Sequence, residues 1–138
     1  MKKRKTRKTK NVFDAPSPIK VGYADFDIKT FKEKRSDNPE RLSGATFPQW
    51  HYIKLNEEHN YCETVSTLLH ELGHAACYVF GITFKSEAEE EKYVAAFANG
   101  YATIFKDNLK LLDWIKESLL LGNKKVTEKV VSKKKKRK

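Results

Sequence analysis

The stretch His70-Glu71-Leu72-Gly73-His74 limits what this chain can fold into more than any other. Two histidines four positions apart fall on one face of a helix, about one turn apart, so both imidazoles can reach a single metal ion if the segment is helical. The flanking residues predict that helix independently. Asn60 can cap it with Glu63 three residues on, and Val65, Leu68, Leu69, Leu72, Ala75, Ala76, Val79 and Phe80 supply an apolar surface running to Gly81. A helix with so much apolar surface is expected to be largely buried. Two imidazoles and a carboxylate on a buried helix cost stability unless they are paired or bound to metal. Gly73 forgoes about 1 kcal/mol of helix propensity relative to Ala, which predicts close approach by another segment.

Glu71 projects beside the two histidines, better placed to hold a metal-bound water than to bind the metal itself. A catalytic zinc takes three protein ligands and keeps a fourth position for water, so a third ligand is expected from a neighbouring element. Ser86 and Glu89 form a second capping-box pattern, opening a helix through Glu91, Val94, Ala95, Ala98, Ala102 and Phe105. Its small residues should let it pack tightly against the first helix. Glu87, Glu89, Glu90 and Glu91 crowd its first turn, where acids also suit the helix dipole. Glu91 shares the apolar stripe and is the expected ligand, with Glu90 its closest competitor. Cys77, three residues after His74, could reach the metal but reads as a small core residue. His51 and His59 have no partner at helical spacing and read as surface or loop histidines.

Elsewhere, residues 12–18 read as an extended arm, and Val21 to Phe31 as a strand running into a short helix. Lys32 to Leu42 is charged, contains Asn38-Pro39, and reads as a surface connection. Gly44 to Asn56 is rich in strand formers, and Pro48 within it argues for an edge position or a bulge. An edge strand beside a metal helix could pair with an extended peptide and lay it across the metal. A third helix is expected from Asp107 or Asn108 to Gly122-Asn123.

The charge is divided unevenly. Residues 1–10 carry +7 and residues 123–138 carry +8 of a total of +10, which leaves −5 for residues 11–122. Lysine runs repel themselves and have little to bury, so residues 1–11 and 123–138 are expected to be disordered basic tails around one domain at 12–122. Such tails suit polyanions, including nonspecific nucleic acid, without specifying a base sequence. No apolar run approaches the roughly 18 residues of a membrane span, and no signal peptide is apparent, so a cytoplasmic protein with reduced Cys62 and Cys77 is expected.

The segment Thr67-Leu68-Leu69-His70-Glu71-Leu72-Gly73-His74-Ala75, followed by Glu89 to Gly100 with Phe97-Ala98, resembles the small gluzincin-type metallopeptidases of the ImmA/IrrE kind and their phage-encoded relatives. Tyr52-Ile53-Lys54-Leu55-Asn56 is similar to the strand which those proteins place before the metal helix. The resemblance covers most of the core and none of the tails. It implies an α+β fold, with a small antiparallel sheet packed on the metal helix and two further helices. It also implies Zn2+ held by His70, His74 and Glu91, with Glu71 activating water to hydrolyse peptide bonds of one or few intracellular protein substrates, and the phage-encoded relatives extend that expectation to the host cell of a phage. Many members orient a histidine ligand with Asp or Asn four residues after that Glu. Here the position is Ala95, so Asn99 or Tyr101 is expected to substitute. Tyr93 and Tyr101 are candidates for an oxyanion donor. The competing expectation is a nucleic-acid-associated accessory protein with a structural or vestigial zinc site and working tails.

Overall fold

Alternation of apolar and polar residues lays down a small sheet, and the capped apolar helix after it covers one face. The computed structural model of the chain describes residues 15–34 and 42–125. The expected basic tails, save Asn123 to Lys125, and most of the charged connection lie outside the described residues. The fold is α+β, a mixed four-stranded sheet with three helices. The chain divides into two units, Met1–Ile104 and Phe105–Lys138.

In the first unit, β1 (Ile19–Val21) turns back into β2 (Ala24–Phe31), whose Ala24 and Phe26 point inward while Asp25 and Asp27 face water. The short helix expected before Phe31 does not form. Residues Asp27 to Phe31 instead pair in parallel with β4 (Tyr52–Asn56), and those ladder bonds hold the backbone extended. β3 (Gly44–Phe47) pairs antiparallel with β4, giving the order β1-β2-β4-β3. The sheet is therefore mixed where a purely antiparallel one was expected. Twenty residues separate Phe31 from Tyr52, enough for the crossover a parallel pair requires. Pro48 lies in a 3-10 turn, Pro48–Trp50, between β3 and β4, and β3 is one of the two edge strands.

Helix α1 (Tyr61–Val79) begins with the expected reciprocal cap, Asn60 accepting from the Glu63 amide at 2.9 Å and Glu63 accepting from the Asn60 amide at 3.0 Å. It stops before Gly81, whose φ is +66°. Leu68, Leu72, Ala75 and Val79 fall on one stripe and close over Ala24, Phe26, Ile53 and Leu55. Burial is confined to that side. Val65 and Phe80, expected inside, are 52% and 67% exposed, so α1 is an amphipathic cover and not a largely buried helix.

Asn56, at the end of β4, is 1% exposed. Its amide donates to the carbonyls of Glu33 at 2.9 Å and Leu42 at 3.2 Å, and its oxygen accepts from the amides of Glu33 and Glu58. One side chain thereby joins both flanks of the 35–41 connection.

Helix α2 (Glu87–Asp107) starts with Ser86 accepting from the Glu89 amide at 3.2 Å, while Glu89 accepts from the Lys85 amide. Val94 and Ala98 are its buried residues. In the second unit, α3 (Leu109–Leu121) ends at Gly122, as expected, and holds no buried residue.

Candidate metal centre

The helical repeat of α1 assigns different residues to three neighbours. Its Leu68, Leu72 and Ala75 stripe faces the sheet. Glu71, rotated about 100° from His70, turns toward the sheet edge. His70, Gly73 and His74 occupy the remaining flank, against which α2 runs antiparallel: Ser66 meets Asn99 at 3.2 Å, and His74 meets Glu90 near the start of α2. Gly73 permits this contact. A Cβ there would lie 2.9 Å from Cγ1 of Val94, so a side chain would hold the helices apart.

His70, His74 and Glu91 converge on one point. Their ligand-capable atoms lie within 4.8 Å of one another, and they form the one such cluster among the described residues. The two Nε2 atoms are 3.1 Å apart, His70 Nε2 is 3.2 Å from Glu91 Oε2, and His74 Nε2 is 3.0 Å from Glu91 Oε1. Bonds of about 2.0–2.1 Å around a tetrahedral zinc would separate ligand atoms by about 3.3 Å, so spacing and donor types both fit that ion. Lone pairs brought this close repel unless a cation, metal or proton, lies between them.

Glu90, the expected competitor, has another place. Its Oε1 is 2.8 Å from Nδ1 of His74, so an Nδ1–H can donate to it and leave the Nε2 lone pair aimed into the cluster. The contact is of the orienting kind for which Asn99 or Tyr101 was expected. Asn99 instead bonds Ser66, and Tyr101 stacks on Phe97 at 6.2 Å. The apolar stripe favoured Glu91, and the way α2 meets α1 turns Glu91 toward the two Nε2 atoms and Glu90 toward Nδ1 of His74.

Glu71 is 6% exposed. Thr46, on edge strand β3, donates its hydroxyl to Oε2 at 2.6 Å and also lies 2.9 Å from the Glu71 carbonyl. Gly44 sits against the same carboxylate: a Cβ there would be 2.7 Å from Thr67 Cγ2 and 3.1 Å from Glu71 Oε1. Sequence reading missed both Thr46 and Gly44, because only strand pairing brings β3 alongside α1.

Two open cavities flank the cluster. One, of about 480 Å³, is lined by Thr46, Glu71, His74, Cys77, Glu90 and Glu91 among others. The second, about 380 Å³, is lined by Ser43, Gly44, His70, Glu71, Glu91 and Asn99 among others. Tyr93 lines neither and stacks on Phe84 at 5.8 Å; Tyr101 lines neither as well. Cys77 stays outside the ligand cluster, and burial, followed by the nearby Glu90 charge, pushes its thiol up. His51 ends the 3-10 turn with φ +51°, its ring 5.3 Å from Phe26. His59 lies in the loop between β4 and α1, as expected, but is buried there at 9% exposed, with Nδ1 4.0 Å from Glu63.

Comparison with protein-family models, with curated proteins and with solved structures returned no match. Among the described residues no helix is long and apolar enough to cross a membrane.

Proposed function

We propose that this chain is a zinc-dependent metallopeptidase of the gluzincin type, acting inside a cell on one or few protein substrates. The observation that carries the reading is a division of labour among neighbours: His70, His74 and Glu91 converge on one point while Glu71, adjacent in sequence, stays out of the cluster and is buried against Thr46. A purely structural metal site would leave that buried carboxylate without a use.

Zn2+ bound by His70, His74 and Glu91 would supply a Lewis acid that acidifies water and polarises a peptide carbonyl. The chain's own residues do the rest. Glu90 fixes the tautomer and ring orientation of His74 through Nδ1. Thr46 occupies Glu71 Oε2, which leaves Oε1 to take a proton from water and later pass it to the leaving amine. The outer edge of β3 offers free backbone groups to an extended peptide, and the flanking cavities leave room for side chains on either side of the scissile bond.

The test is a comparison of the parent chain with Glu71→Gln, both loaded with zinc, against an unbiased library of cellular peptides. The variant should keep the zinc stoichiometry of the parent and lose about 10²–10⁴-fold in cleavage, the usual contribution of a general base. Equal cleavage by the two chains, or a parent that takes up no zinc, would overturn the proposal.

A further inference from the structure

The two cavities beside the cluster differ in chemistry. Both are lined by Gly44, Glu71 and Glu91, but the larger extends past His74, Cys77 and Tyr78 and the smaller past Ser66, Thr67 and His70. They therefore lie toward opposite ends of α1. Strand β3 passes both, with Ser43 just before it at the smaller cavity and Thr46 at the larger. An extended peptide paired to the outer edge of β3 would present different side chains to the two.

Beyond the shared carboxylates, the smaller cavity offers small neutral groups from Ser43, Ser66, Thr67 and Asn99. The larger adds Glu87, Glu90 and an apolar wall of Pro48, Tyr78 and Ile82. Tyr78 and Ile82 are 46% and 53% exposed, so that wall still has surface to cover. Three of the four carboxylates here are engaged: Glu71 by Thr46, Glu90 by His74, and Glu91 by the cluster. Glu87 has no hydrogen-bond or ion-pair partner among the described residues, and none of the described residues lining either cavity is a lysine or arginine. The helix dipole favours an acid in this first turn but does not require it to face the cavity, since Glu89 of the same turn lines neither one.

A side chain with an aliphatic stem and a cationic head matches both halves of the larger cavity. The stem covers the apolar wall while the head meets Glu87. An apolar side chain would crowd water from Glu87 without pairing it, and an acidic one would meet Glu87 and Glu90 as like charges. We propose that this cavity selects a lysine or arginine on one side of the scissile bond, with Glu87 as the residue that sets the preference. The inference rests on the peptidase reading above. The chain's formal charge of +10 repels a basic peptide at long range, so such a preference would not come from unspecific attraction.

The zinc-loaded full chain is given a randomised peptide library, and the cut positions are read by mass spectrometry. Lysine and arginine should be enriched on one side of the cut only. In a matched peptide pair the lysine form should exceed the norleucine form at least about fivefold in kcat/KM. Glu87→Gln should bring that ratio within about twofold of parity, and Glu87→Lys should invert it. Glu89→Gln, which removes a charge from the same turn outside the cavity, should keep the ratio of the parent. Fluorescence anisotropy on zinc-loaded Glu71→Gln reads the same pair without cleavage: the lysine peptide should bind more tightly, by a margin that salt reduces. Cleavage without basic enrichment, or a preference that survives Glu87→Lys, would overturn this proposal and leave the peptidase reading standing. Absence of any cleavage by the zinc-loaded parent would overturn both.

Discussion

Gly73→Ala probes the geometry of the metal centre without touching any of its polar groups. The new Cβ would start 2.9 Å from Val94 Cγ1, whereas unstrained carbon contacts lie at about 3.5–4.0 Å, so roughly 0.6–1 Å must be made up. Val94 cannot easily turn away, because a β-branched side chain in a helix has one strongly preferred rotamer. The strain therefore moves α2 away from α1. Glu91 lies three residues before Val94 on the same helix and is carried with it. Ligand distances tolerate about 0.2 Å, so a displacement several times larger should weaken zinc binding by about 10–100-fold. Stability should change much less, because overpacking of about 1–3 kcal/mol is offset by about 1 kcal/mol of helix propensity. Competition with a chromophoric chelator reads the affinity, and thermal unfolding with and without zinc reads the stability. Adding Val94→Ala should restore most of the affinity. Zinc binding by Gly73→Ala within about twofold of the parent would refute the idea that close approach at Gly73 sets the third ligand.

Glu91→Gln should lower zinc affinity more than Glu90→Gln, because the first removes a proposed ligand and the second only the acceptor for His74 Nδ1; the reverse order in the same competition assay would exchange their roles. Asn56→Ala should destabilise the fold by about 1–3 kcal/mol in urea unfolding, since it strips partners from buried backbone groups on both flanks of the connection. A loss of only a few tenths would mean that water replaces the amide. Burial raises the Cys77 thiol, so at neutral pH it holds less thiolate than an exposed thiol and should react with iodoacetamide more slowly than Cys62. Its rate should climb only at a higher pH than an ordinary thiol requires, and mass spectrometry showing equal labelling would contradict this.

Local chemistry determined helix α1 by sequence alone. The Asn60–Glu63 cap, the apolar stripe and the Gly81 stop each act within a few residues, so the placement of His70 and His74 on one flank follows from helical geometry. The second and third helices were legible for the same reason, while the basic ends announce themselves by charge and, save Asn123 to Lys125, lie outside the described residues. Tertiary structure decided whatever depends on one element meeting another. The parallel pairing of β2 with β4 kept Asp27 to Phe31 extended where local pattern predicted a short helix, and turned an expected antiparallel sheet into a mixed one. In a run of adjacent glutamates, each residue is rotated about 100° from the next; the apolar stripe pointed to Glu91, but the meeting of α1 and α2 gives Glu90 its place at the far nitrogen of His74. Thr46 and Gly44 are ordinary strand residues until β3 pairs with β4 and comes to rest against Glu71, because a strand's neighbours across space are fixed by register and not by its own sequence.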